Sequence, residues 1–243
     1  ALEMTPNAIG FKELGIQCEV ISTIDIPAVL KCAKENSIDG IMTLASDMPM
    51  QTVAVVAEEL GLVGVSKDTA LKATNKAFMR DALQGCNVPI PVYHRVSDYP
   101  EFVKAVDNIM NNGYKCIVKP ADNSGSRGVD LLKSQTPDNL QKAYDYSKSF
   151  SRTGELVVEE YMEGPEVSVE TLSIQGNCYV IQITDKITTG APYFVEMGHS
   201  QPSMLSEKIK EEIAEVAKAA NKALGIMDGP SHTEIKVTKD GPK

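Results

Sequence analysis

Between Lys115 and Val129 the chain reads K-C-I-V-K-P-A-D-N-S-G-S-R-G-V. The short apolar run Cys116, Ile117, Val118 fits a strand; it ends in a lysine and a proline and opens into a loop with two glycines, two serines and an arginine. Such a loop suits phosphate, because glycine lets backbone N–H groups approach an anion closely, serine adds donors, and Lys119 and Arg127 bring positive charge. The stretch is neither G-x-x-x-x-G-K-[ST] nor a G-x-G-x-x-G opening a helix, since Val129 to Lys133 reads as another strand. It is a strand–loop–strand unit, the shape of a flap that closes over a nucleotide. An ordinary polar hairpin has the same pattern.

The chain before this unit alternates strand and helix: Cys18 to Ser22 as strand, Pro27 to Asn36 as helix, Gly40 to Leu44 as strand, Pro49 to Leu60 as helix, Val63 to Val65 as strand. That order predicts a parallel sheet with right-handed crossovers, and proline in the first turn of both helices supports their starts. Residues 1–16 read as irregular, so the first strand of that sheet is expected to be absent. After Ser66 comes a basic helical stretch with Lys67, Lys72, Lys76 and Arg80, continuing to about Leu83. Pro89 and Pro91 then force an extended connector. Helices are expected at 101–111 and 138–149, and 115–161 reads strand, loop, strand, helix, strand, a small α+β unit.

From Leu156 the pattern turns antiparallel. L-V-V-E-E-Y leads through M-E-G-P into E-V-S-V-E-T-L-S-I, and Gly176-Asn177 signals a hairpin before Y-V-I-Q-I-T-D-K-I. Residues 189–203 read as a long polar and aromatic loop, 206–224 as an amphipathic helix ending at Gly225, and H-T-E-I-K-V-T as a strand. The turn K-D-G-P is expected to lead into a further strand that the sequence does not contain.

At 243 residues, 42% hydrophobic and 23% charged, the composition is that of a globular protein able to bury a full core. A net charge of −9 argues against a nucleic-acid or anionic-membrane surface, so an anionic ligand requires a local basic site. Five scattered cysteines without C-x-x-C indicate reduced thiols rather than a disulfide framework or a zinc site. No apolar run approaches the roughly 18 residues of a membrane helix, and the N-terminus lacks a signal-peptide pattern. The expected location is cytoplasmic.

Four pieces in order, T-N-K-A-F-M-R, V-K-P-A-D-N-S-G-S-R-G-V, V-V-E-E-Y-M-E-G-P-E-V-S-V-E and H-T-E-I-K-V-T, resemble the ATP-grasp superfamily from about residue 66 onward. The resemblance is greatest to its carboxylate–amine (L-amino-acid) ligase branch; carbamoyl-phosphate synthetase, biotin carboxylase and phosphoribosylglycinamide synthetase are related. It implies an α/β and α+β chain: a partial Rossmann-like preATP-grasp domain over 1–66, then an ATP-grasp domain over 67–243 with a lid subdomain at about 90–160 and an incomplete C-terminal end.

The resemblance also implies roles. Lys76 and Lys119 bind ATP phosphates; Ser124, Gly125, Ser126, Arg127 and Gly128 form the flap over the β and γ phosphates; Glu159 accepts from the adenine amino group, and backbone at Tyr161 contacts the ring. Glu166 binds the ribose, with a surface turn as the alternative, and Glu160 faces solvent or a lysine. Glu234 binds magnesium, or manganese in its place. His232 lies on the same strand face two residues away and points into the same cleft, or is a satisfied histidine with no role. Glu196 and His199 resemble residues lining the acceptor side. The implied activity is an ADP-forming ligation of a small carboxylate to an amine or ammonia through an acyl phosphate, with Arg127, Glu234 and His232 as catalytic candidates. Its implied partners are those two small molecules and a possible second copy of the chain as a homodimer, with no nucleic acid and no membrane. A non-catalytic ATP-binding subunit fits the same motifs; a nicotinamide oxidoreductase lacks its G-x-G-x-x-G.

Overall fold

A computed structural model describes all residues except Leu14 and Ala45. The chain forms two compact units, Ala1–Thr74 and Asn75–Lys243. No helix among the described residues is long and apolar enough to cross a membrane.

In the first unit, β1 (Leu2–Glu3) pairs in parallel with β2 (Glu19–Val20), so the N-terminal stretch expected to be irregular supplies a strand, followed by α1 (Ile9–Glu13). Helix α2 (Ile26–Glu35) starts where Asp25 accepts from the Ala28 N–H, with proline in the first turn. Helix α3 (Met50–Leu60) ends at Gly61 in the left-handed region. Val29, Ala33 and Val56 form the core with Leu2, Ile21 and Ile41 packed around it. The expected strands at 40–44 and 63–65 are not formed by the described residues: Met42, Leu44 and Val63 are exposed, so no second layer covers their apolar side chains.

The basic stretch expected as one helix is two, α4 (Lys67–Thr74) and α5 (Lys76–Gly85). Asn75 breaks it by leaving helical backbone and accepting from the Ala77 and Phe78 N–H groups, the N-cap alternative that competes with helix continuation. Lys76 thereby becomes the first residue of α5, and its own N–H donates to the Ala121 carbonyl at 2.8 Å.

The second unit holds two antiparallel sheets. One has the order β3-β6-β4-β5 and is built from β3 (Tyr93–Val96), β4 (Cys116–Pro120), β5 (Asp130–Leu131) and β6 (Leu156–Glu160), with α6 (Tyr99–Asn111) and α7 (Pro137–Ser149) on one face. Cys116, Val118, Leu156 and Val158 turn to those helices and meet Phe102, Val106, Ile109 and Tyr144. Register pairs Ile117 with Glu159 and Lys119 with Val157, so alternation sends these four residues to the opposite face.

The other sheet has the order β11-β10-β7-β8-β9, from β7 (Glu166–Ile174), β8 (Asn177–Thr188), β9 (Glu196–Ser200), β10 (Gly229–Thr238) and β11 (Gly241–Pro242). Val167, Val169, Ile183 and Ile235 pack on α8 (Glu207–Leu224) through Ile213 and Ala217. The turn between β7 and β8 is Gln175-Gly176, both at positive φ, one residue before the expected Gly176-Asn177 pair. Two further expectations change. The 189–203 loop contains strand β9, and the K-D-G-P turn does return into a short strand, β11, which pairs with β10.

Phe102 is fully buried between Tyr99 and Tyr144, with ring centroids 6.0 and 5.4 Å away. Phe102→Ala is expected to destabilise the second unit by about 3–5 kcal/mol, read from the urea midpoint of its unfolding transition.

Candidate functional site

Glu159 comes from the face of β6 that α6 and α7 do not cover, and it is 1% exposed. Arg80 Nε donates to its Oε1 at 2.6 Å, and Lys119 forms an ion pair with its Oε2. Burial pushes this carboxyl upward, but the two cations outweigh burial and bring it down to about 2. Lys76 stands beside the same group, its ammonium bonded to the Asn123 carbonyl at the start of the flap. Burial first, then repulsion from Lys119, lowers Lys76 to about 8. Three cations thus surround one carboxylate in a chain whose overall charge is negative. The surplus of positive charge, partly desolvated, is what a polyphosphate neutralises.

The flap is anchored at its base and open at its tip. Gly128 is buried at φ +75°, where a Cβ would lie 2.7 Å from both Phe150 Cβ and Pro120 Cγ, and its carbonyl accepts from Ser147 Oγ at 2.6 Å. Gly125, Ser126 and Arg127 are exposed, with Gly125 and Ser126 also at positive φ. Arg127 Nε folds back on the Ser124 carbonyl at 3.1 Å, and Ser126 Oγ donates to the Phe194 carbonyl at 3.2 Å. Tyr161 follows β6; its N–H is held by the Lys115 carbonyl, and its ring lies 6.2 Å from that of Phe194.

On the second sheet, the face turned away from α8 carries a charged network. Register places Lys236, Glu166 and Lys186 in one row across β10, β7 and β8, and His199 of β9 opposite Lys186. Lys186 contacts Glu166 at 3.0 Å, Glu196 at 3.3 Å and Glu234 most closely of all. Glu166 also pairs with Lys236 at 3.0 Å. Burial alone would raise the Glu166 pKa, yet its lysine partners hold it below the usual carboxylate range. Between Ile187 and Thr188 the β8–β9 register slips, so Met197 is the extra residue of a bulge that brings both Glu196 and His199 onto the Lys186 face. His232 shares the face of Glu234, as strand alternation requires, and bonds Glu170 directly opposite it at 2.8 Å.

The structure therefore groups Lys76, Lys119 and Glu159 around one centre, and Glu166 and Glu234 around another. The two are electrostatically connected, since Lys76 feels the Glu234 carboxylate. Glu160 reaches a lysine as expected, Lys243 at 3.6 Å, but it is buried rather than solvated and accepts from the Val92 N–H at 3.2 Å. The adenine role implied for Glu159 falls on a carboxylate that is 1% exposed and already pairs through both oxygens, each of which keeps a further lone pair. Arg80 and Lys186 carry as much of the site as any residue the motifs single out. Arg80 lies four positions after Lys76 on one helix, a spacing that puts both on the same face and could have flagged it. Nothing in the local sequence marks Lys186, because its partners come from three other strands.

A family profile described as the ATP-grasp domain matches residues 112–243. The chain belongs to the ATP-grasp family. Alanine–anticapsin ligase of Bacillus subtilis strain 168 is 30% identical over 235 residues, covering 88% of this chain and 48% of that protein. Phosphoribosylamine–glycine ligase of Methanocaldococcus jannaschii is 27% identical over 257 residues, covering 96% and 57% respectively. Among solved structures, the L-amino acid ligase from Bacillus licheniformis superimposes with a TM-score of 0.75 at 28% identity, over 93% of this chain and 53% of that one. The chain spans about half the length of these relatives.

Replacing Glu159 by glutamine leaves Arg80 and Lys119 facing each other without their counter-charge, and is expected to cost about 3–5 kcal/mol at neutral pH. The carboxyl ionises at about 2 in the fold against an ordinary 4.5, so its contribution is complete above pH 4.5 and disappears as pH falls towards 2. Urea unfolding of both proteins at pH 7 and pH 3 checks this: the stability gap narrows in acid.

Proposed function

We propose that the protein is an ATP-dependent, ADP-forming ligase that joins a small carboxylate to an amine or ammonia through an acyl phosphate, acting in the cytoplasm. The observation that carries the reading is the pairing of Arg80 and Lys119 with one buried carboxylate, with Lys76 beside them on the Asn123 carbonyl, at a glycine flap whose base is fixed and whose tip is exposed. Phosphoryl transfer asks a protein for positioning and charge stabilisation and for no nucleophile of its own, and this centre supplies those two things.

In this reading Lys76 and Lys119 hold the phosphates, with Arg80 keeping Glu159 in place so that the Lys119 ammonium is aimed and not free to swing. The amides of Ser124–Gly128 and the Arg127 guanidinium close from above. Glu166 meets the ribose, and Glu159 and Tyr161 bound the adenine end. Magnesium, or manganese, takes one or two carboxylates together with substrate phosphates and water. Glu234 fits that role: it is a hard oxygen donor, more than half exposed and within electrostatic reach of Lys76. No group of three His, Cys, Asp or Glu side chains among the described residues is arranged to hold a metal ion by itself, so the other ligands fall to the phosphates and water. When bound, the ion supplies charge neutralisation at the transferred phosphoryl group. Glu196, His199 and His232 border the same face and lie on the acceptor side. Small-molecule substrates are the only partners this site requires; association of two copies as a homodimer is compatible with it.

The test is to incubate the full-length protein with ATP, magnesium, pooled small carboxylates and hydroxylamine, following ADP and hydroxamate together. Both products are expected; nucleotide binding without either product would favour a non-catalytic subunit. Lys119→Ala is expected to weaken ATP binding at least tenfold, about 1.4 kcal/mol, by calorimetry, and unchanged affinity would remove the assignment of this centre. Because Lys76 loses its proton at about 8, ATP affinity should decline as pH rises through 8 to 9, and Lys76→Arg should flatten that decline.

A further inference from the structure

The Lys186 side chain is 6% exposed, and its ammonium forms ion pairs with three carboxylates, Glu166, Glu196 and Glu234, which arrive from β7, β9 and β10. We infer that this ammonium holds the place of the divalent cation at Glu234 in the nucleotide-free protein, so that the metal is admitted only together with nucleotide phosphates. The inference rests on the proposed assignment of Glu234 as the metal carboxylate.

Three carboxylates converging without a cation repel one another, so the arrangement exists only because a positive charge sits among them. With the ammonium in place their charge is largely satisfied, and magnesium, which sheds its water reluctantly, gains little by replacing it. The three are not equivalent. Glu166 has a second partner in Lys236 at 3.0 Å, and Glu196 has one in His199 at 3.0 Å. Glu234 has no other ion-pair partner among the described residues. It is also the most exposed of the three and lies on the side towards Lys76. When phosphates neutralise Lys76, Arg80 and Lys119, they bring new oxygen ligands to that side. Glu234 can then leave Lys186 for a shared cation, while Lys186 stays compensated by Glu166 and Glu196. Lys186 is thus a positioning residue that orders the binding of metal after, or with, nucleotide.

Manganese serves as the probe, its bound fraction read from the loss of the free-ion EPR signal. Without nucleotide, the wild-type chain and Glu234→Gln are expected to bind manganese equally weakly. Lys186→Met, checked for folding by circular dichroism, is expected to bind at least tenfold more tightly, and adding Glu234→Gln to it should abolish the gain. With a non-hydrolysable ATP analogue, wild-type affinity should rise in a Glu234-dependent manner. Glu234-dependent manganese binding by nucleotide-free wild type would overturn the inference, whether or not the Lys186 variant folds, as would a folded Lys186→Met with no gain. Failure of the analogue to bind would instead count against the proposed nucleotide site, and the nucleotide-free comparison would still decide the role of Lys186.

Discussion

The buried ionic cluster of Glu159 with Arg80 and Lys119 sets the terms for the rest of the second unit. A carboxylate with 1% exposure cannot remain charged unless its desolvation is offset, and both of its oxygens are taken by cations to achieve this. Three separate segments must therefore come together: α5 for Arg80, β4 for Lys119 and β6 for Glu159. The N-cap at Asn75 fixes where α5 begins, and the bond from the Lys76 N–H to the Ala121 carbonyl ties that start to the end of β4. One backbone hydrogen bond thus brings the helix lysine and the strand lysine to the same place. Having assembled more positive than negative charge, the cluster leaves an imbalance that an external anion can relieve.

The second sheet carries the opposite excess. Glu166, Glu196 and Glu234 share Lys186, and among the described residues Lys236 is the further lysine paired with them. Each centre alone is an electrostatic compromise; in the proposed reading phosphates and a divalent cation bind the two with charges reversed to those of the protein. The lowered pKa of Lys76 and its attraction to Glu234 mark it as the residue between the two. The sheet face can carry this network because α8 covers the other face, with an apolar core and one buried polar cluster of Asn221, Ser231 and Thr171, so alternation leaves the charged positions together.

Elements with a strong period were legible from residues alone. The helices at 99–111, 137–149 and 207–224 and the strands at 116–120, 156–160 and 166–174 all lie where their patterns put them, because burial on one face leaves a repeat. What could not be read is whatever depends on register between distant strands. Lys186 acquires its meaning only from standing opposite Glu166 and from a bulge at Met197 that turns Glu196 towards it. The break at Asn75 was hidden because lysines on both sides suit a helix and the cap declares itself only through its hydrogen bonds. In the first unit the short apolar runs at 40–44 and 63–65 have strand-like composition, but β-propensity reflects packing on a sheet, and Met42, Leu44 and Val63 are exposed, with no sheet of the described residues against them.

The flap shows how the same loop can be both rigid and responsive. Gly128 is pinned where no side chain fits, beneath Phe150 and against Pro120, so the C-terminal side of the loop cannot drift without disturbing α7. Towards the tip the contacts thin to bonds within the loop and a single hydroxyl on the Phe194 carbonyl, which belongs to the segment leading into β9. Few buried contacts and exposed hydrogen bonds are the physical signature of a segment that opens at low cost. At the N-terminal side, the Lys76 ammonium occupies the Asn123 carbonyl, a position that in the proposed reading it trades for a phosphate. Asn123 keeps a second tie there, its side-chain amide donating to the Phe150 carbonyl at 2.8 Å, so that end of the flap stays fastened as Gly128 fastens the other. The motion that remains is a swing of the tip, and in the proposed reading its link through Ser126 to Phe194 joins closure over the phosphates to the strand that carries Glu196 and His199.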